Sequence, residues 1–177
     1  MGVGMLHEPS ERSDEKGGFM KTFLIILLAG ATAALTIVVR IPIPGTGGYL
    51  NFGDIAVVFC GLFLGKKWGA VAGGVGSALA DIIGGFFIFA PITLVAKGLE
   101  GFLAGVCGST RIPVVLLPLA SMSMMAVYFV SELFLPGMGL GAALGELPFN
   151  AIQAGVGAFG GFGVWVAVRK ALPKKEE

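Results

Sequence analysis

Apolar residues fall along this chain in long blocks rather than in alternation, and short clusters of proline, glycine and lysine cut the blocks apart. A helix needs about 20 mostly apolar residues to cross the hydrocarbon core of a bilayer, whereas a membrane barrel would show alternating segments of about ten. The pattern predicts six membrane helices. The first runs from about Met20 to Val39, and the second from about Asn51 to Leu64. After a Lys66-Lys67 turn the third runs from Trp68 to Ile83, and the fourth from Pro91 to Cys107. Arg111 and Pro113 lead into the fifth, ending near Leu135, and the sixth extends from Ala142 or Pro148 to Val168. Arg40 to Leu50, with two prolines and three glycines, is a loop, and Gly84 to Pro91 is a tight aromatic turn, because proline disfavours helix in the residue before it.

The pattern divides the chain into a polar cytoplasmic tail without fixed structure over 1–19, one six-helix bundle over 20–170, and a charged cytoplasmic tail over 171–177. Lys21 followed by apolar sequence, with Ala29 and Ala31 at signal-peptidase spacing, has the layout of an export signal, and Met20 is an alternative initiator. The later blocks are equally apolar, which favours a retained first helix.

Composition fits the pattern. Hydrophobic residues make up 55% and charged residues 13%, where a soluble domain carries about 25% charged. Lys66, Lys67, Arg111, Arg169, Lys170, Lys174 and Lys175 fall on one side of a six-helix arrangement and leave only Arg40 in a loop opposite, which puts both termini in the cytoplasm. The net charge of +1 gives no sign of a nucleic-acid partner. Cys60 and Cys107 lie in apolar sequence and read as packing residues, and the single histidine, His7, is in the tail. Neither a metal site nor a cofactor is expected. With no nucleophile–base pair, neither is an enzyme.

Charges inside the apolar blocks locate the chemistry. A charge near the bilayer centre costs about 2.5 to 3.5 kcal/mol even on the lenient insertion scale, so it is kept for a reason and finds a partner. Asp81, Lys97 and Glu100 flank the aromatic turn. Counting outward from that turn puts Asp81 level with Lys97, so the hairpin is expected to pair them, with Glu100 adding a contact three residues on. Asp54 falls in the first turn of helix two, where the helix dipole favours an anion. On the outer face the chain gathers Tyr49, Asn51, Asp54, several phenylalanines, Glu132, Glu146, Asn150 and Gln153. Aromatic faces beside a few hydrogen-bonding groups suit a small planar heterocycle. Glu132, Asn150 and Gln153 are the candidates for reading its edges, and the glycine-rich loop around Tyr49 is the candidate lid. Whether Asp81, Lys97 and Glu100 touch a ligand or only brace helices is left open by spacing.

Two nucleotide-like motifs fail. Gly65-Lys66 has Cys60 where a phosphate loop needs glycine and Lys67 where it needs Ser or Thr. Gly155, Gly157 and Gly160 match the dinucleotide spacing without a preceding strand, so close helix packing accounts for them. Any energy for uptake comes from an ion gradient or from another subunit.

The stretch YLNFGDIAVVFCGLFLGKKWGAVAGGVGSALADIIGG, followed by FAPITLVAKGLEGFLAG, resembles the substrate-binding S components of energy-coupling factor vitamin transporters, in particular the riboflavin-type branch. The resemblance is densest over Tyr49 to Gly105. It implies a bundle that captures a vitamin at the outer side of a prokaryotic cell membrane and associates with a transmembrane coupling subunit and two cytoplasmic ATPases. Riboflavin, pyrimidine precursors of thiamine and pyridoxine-like compounds are the substrates it implies. The family's A-x-x-x-A contact with the coupling subunit matches Ala29 and Ala33. Trp68 and Trp165 lie towards the inner side, which argues against a tryptophan-lined pocket. The rival reading is a stand-alone ion-coupled transporter in which Asp81 and Glu100 relay protons.

Overall fold

The computed structural model describes residues 9–46 and 48–172, and contains six helices and one short hairpin. Helix α1 spans Pro9–Val38, β1 Arg40–Pro42, β2 Tyr49–Asn51, α2 Gly53–Leu64, α3 Lys66–Ile83, α4 Ala90–Cys107, α5 Pro113–Phe134 and α6 Leu140–Ala171. The ends fall where the sequence is punctuated. Gly65, with φ of 78°, separates α2 from α3, Pro91 opens α4, and Pro113 opens α5.

Three expectations shift. The helix begins at Pro9, so residues 9–19 continue α1 instead of forming an unstructured tail, while residues 1–8 and 173–177 lie outside the described residues. The loop from Arg40 to Leu50 contains an antiparallel pair, with Arg40 opposite Asn51 and Pro42 opposite Tyr49. Pro42 sits at the end of a two-stranded edge, where its missing N–H costs no ladder bond. The sixth helix starts at Leu140 and runs through Pro148 without interruption.

Burial is inverted relative to a water-soluble domain. Asp54, Asp81, Lys97, Glu100, Glu132 and Glu146 are all inside, while Phe134, Val38 and Phe19 stand 81%, 77% and 74% exposed. Among the described residues, four helices are long and apolar enough to cross a membrane: the Gly17–Val38 part of α1, and α4, α5 and α6. Helix α2, with 12 residues, is about 18 Å long and too short to span alone.

Helices α2, α3 and α4 meet through glycine. A Cβ on Gly101 would lie 2.6 Å from the Gly69 carbonyl oxygen, and one on Gly74 would lie 2.8 Å from the Leu94 carbonyl oxygen, so the backbones touch directly. Without a hydrophobic drive between helices in lipid, such close approach supplies the dispersion contacts that hold them together. Val58, Leu62, Ala104, Cys107, Leu117, Ala120 and Ala158 form the apolar core of α2, α4, α5 and α6.

The small face of α1 is turned inward. Ala33 is buried, and the Ala29 carbonyl packs against Gly76 of α3 alongside Thr32. Ala33 and the Ala29 backbone thus pack within this bundle, while the Ala29 side chain is half-buried. One position round the helix, Gly30 and Ala34 are exposed, and a Cβ on Gly30 would meet nothing within 4 Å.

Candidate substrate-binding site

Polar groups from the hairpin and five helices converge between the hairpin and the middle of the bundle. They line a cavity of about 30 Å³ whose wall includes Thr36 of α1, Gly48 and Tyr49 of the hairpin, Ser77 and Asp81 of α3, Thr93 and Lys97 of α4, Tyr128 of α5, and Glu146, Asn150 and Gln153 of α6. That volume holds one or two waters and falls well short of the about 300 Å³ at the small end of ligand pockets. A second, mostly apolar chamber of about 410 Å³ lies against the hairpin turn and the α3–α4 and α5–α6 turns, bounded by Thr46, Ile88, Leu135 and Met138. Phe89 borders both chambers.

Lys97 is the electrostatic centre, and its partner differs from the one that hairpin counting suggests. Its ammonium donates to Asp54 at the start of α2 and, at 3.4 Å, to Glu100 one turn along α4. All three side chains are at most 2% exposed. Asp81 sits in the last turn of α3, whereas Lys97 lies seven residues into α4, so Lys97 is deeper by about one helical turn. Asp54 reaches that depth because the hairpin precedes α2 and occupies the layer between Arg40 and Asn51 before the helix begins at Gly53.

Asp81 belongs to the hairpin instead. Its carboxylate accepts a hydrogen bond from the Tyr49 hydroxyl. The Tyr49 and Phe86 rings pack at 4.8 Å, and the Arg40 guanidinium lies 4.4 Å from the first ring centroid and 5.0 Å from the second. Arg40 also donates to the Ala80 carbonyl at 3.1 Å. The lone basic residue of the first loop therefore stacks on the ring whose hydroxyl Asp81 accepts.

The other side of the hairpin is fastened to α6. The Asn51 backbone N–H donates to Gln153 Oε1 at 2.9 Å, and the Asn51 side-chain oxygen accepts from Gly53 N–H at 2.8 Å, satisfying a free donor at the start of α2. Asn51 and Gln153 thus hold the hairpin while also facing the cavity. Asn150 lines the cavity one turn away. Glu132 is not in the cavity wall; it is buried behind Glu146.

Several wall residues were invisible to sequence reasoning. Thr36, Ser77, Thr93 and Tyr128 carry single hydroxyls in apolar helices, and the Tyr128 hydroxyl donates to Thr93 at 2.9 Å while its ring lies 5.6 Å from the Lys97 ammonium. Among the described residues no group of three or more His, Cys, Asp or Glu is placed to hold a metal ion.

An apolar exterior around a buried polar cluster marks a multi-pass membrane protein. Comparison with known proteins sharpens the class. Residues 20–170 match the family model described as ECF-type riboflavin transporter, S component. A Pyrococcus woesei protein described as "Uncharacterized protein in gap 3'region" is 39% identical over 145 residues, covering 80% of this chain and 97% of the relative. The thiamine precursor transporter HmpT of Lactococcus lactis subsp. cremoris (strain MG1363) is 29% identical over 138 residues, covering 77% of this chain and 80% of the relative. The chain belongs to the ECF-type riboflavin transporter S component family, whose members are transport components and not enzymes.

Proposed function

We propose that this chain captures a vitamin or vitamin precursor at the outer face of a prokaryotic cell membrane and delivers it through association with a transmembrane coupling subunit and two cytoplasmic ATPases. The observation that carries the reading is the polar cavity closed by the β1–β2 hairpin. Its wall combines the aromatic faces of Tyr49, Phe89 and Tyr128 with the edge groups Asn150, Gln153 and Glu146, a set suited to a small planar heterocycle. Family membership and the likeness to a thiamine precursor transporter point the same way.

The hairpin is the lid. The inner cavity is too small for a heterocycle while Tyr49 is latched to Asp81, so admission requires the hairpin to lift and join the two chambers past Phe89. Its fastenings are a few polar contacts and one cation–aromatic stack, which suits a segment that opens on each cycle. The test is direct. Protein purified in mild detergent from cells grown on rich medium is expected to carry a near-stoichiometric heterocyclic metabolite, identified by mass spectrometry after denaturation. Carriage of a lipid or peptide instead would remove the vitamin reading.

The arrangement uses six spans, with α2 and the hairpin together making one of them, and both termini cytoplasmic. Lys66 and Lys67 are exposed at the α2–α3 turn, on the side with Arg169 and Lys170 at the end of α6. In a variant lacking Cys60 and Cys107, Thr46→Cys is expected to react with a membrane-impermeant maleimide in whole cells, and Lys67→Cys to react only after permeabilisation. The reverse pattern would invert the topology.

A further inference from the structure

Buried acceptors go unanswered both within the Lys97 cluster and beyond it. Among the described residues, six carboxylate oxygens are buried without a hydrogen-bond partner: one each on Asp54, Asp81, Glu100 and Glu146, and both on Glu132. Asp54 and Glu100 share Lys97, and Asp81 has Tyr49, on whose ring Arg40 stacks. Among the described residues, Glu132 and Glu146 have only each other. They are 1% and 4% exposed, they face one another across α5 and α6, and no ion pair within that set reaches either.

Two carboxyl groups enclosed together need a positive charge or a proton between them. The site says which kind of charge fits. Glu146 lines the inner cavity, and its carboxylate packs directly on Gly48 of the hairpin, where any Cβ would collide with it. It therefore meets whatever enters beneath the lid. A bare divalent ion would want about six oxygen ligands, and this pair offers two carboxylates with no third acidic, histidine or cysteine ligand beside them among the described residues.

We propose that the Glu132–Glu146 pair is the subsite for a positively charged nitrogen of the captured molecule, so that the substrate is an amine-bearing or protonated heterocycle and not a neutral one. This rests on the vitamin-capture reading and narrows it. Glu146 makes the contact; Glu132, behind it, holds Glu146 in place and adds charge. Aminopyrimidines, which protonate on a ring nitrogen, and aminomethylpyridines, which carry an ammonium, have the chemistry the pair accepts, and a neutral isoalloxazine does not.

The experiment measures binding to the purified wild-type chain by titration calorimetry. The probes are two matched pairs plus riboflavin: pyridoxamine against pyridoxine, and 4-amino-5-hydroxymethyl-2-methylpyrimidine against its 4-hydroxy analogue. Within the pair that binds, the nitrogen member is expected to bind about tenfold to a hundredfold more tightly, the range a charge-assisted hydrogen bond gives. Glu146→Gln, nearly isosteric, is expected to erase that ratio, weakening the nitrogen member far more than the oxygen member. Glu132→Gln is expected to reduce the ratio in part. The wild-type ratio stands as a test even where a variant folds poorly. Tightest binding by riboflavin or by an oxygen member, or a ratio unchanged in folded Glu146→Gln protein, overturns the charged-nitrogen subsite and leaves vitamin capture intact. Failure of all five probes to bind, with no heterocycle copurifying, overturns both.

Discussion

Lys97→Met is expected to cost about 3 to 5 kcal/mol of stability, because it leaves Asp54 and Glu100 enclosed together with no cation between them. For a chain of this size that corresponds to a fall of about 10 °C in the unfolding midpoint in detergent, and to a reduced folded yield. The identity of the partner is what the rescue decides. Lys97→Met with Asp54→Asn removes one of the two orphaned charges and is expected to recover part of the loss, an interaction that a double-mutant cycle reads directly. Lys97→Met with Asp81→Asn is expected to recover nothing, since Asp81 is held by Tyr49, on whose ring Arg40 stacks. Rescue through Asp81 and not through Asp54 would restore the hairpin pairing and discard the Lys97–Asp54 contact.

That choice of partner shows where sequence reading stops. Asp54, Asp81, Lys97 and Glu100 announce themselves, since a charge inside an apolar block is expensive wherever the fold puts it. Which of them meet is set by depth, and depth depends on features with weak signatures. The stretch Phe86–Phe89 takes a turn of its own before α4 begins, and α2 begins only at Gly53, after the hairpin. Two prolines and three glycines exclude a helix from 40–50, yet they do not say that Arg40 will pair with Asn51 across a two-stranded ribbon. Tyr128, Thr36 and Thr93 escaped for the opposite reason. A hydroxyl in an apolar helix costs little and is common, so nothing in the sequence sets the ones that face the cavity apart from those that face a neighbouring carbonyl. Glu132 and Glu146 stood out as charges, but their adjacency across α5 and α6 is a tertiary fact.

The face of α1 gives the largest functional contrast. One residue along a helix is about 100° around it, so Ala29-Ala33 and Gly30-Ala34 are equally good small pairs in sequence and point in different directions. In the fold Ala33 is buried and the Ala29 carbonyl packs on Gly76 of α3, while Gly30 and Ala34 are open to the surroundings. In the proposed assembly a membrane helix of the coupling subunit approaches the open pair. Gly30→Trp with Ala34→Trp is therefore expected to leave folded yield and ligand binding near wild type while abolishing copurification with the co-expressed coupling subunit and reducing uptake by about tenfold or more, since the partner backbone can no longer come within dispersion range. Ala29→Trp with Ala33→Trp drives two indoles into the α1–α3 contact, and is expected to lower the folded yield itself by overpacking. Size-exclusion chromatography of each variant, alone and with the coupling subunit, separates the two outcomes. If the Ala29/Ala33 variant folds normally and loses only the partner, the docking face is the one that sequence resemblance implies, and α1 must turn by about 100° when the complex forms.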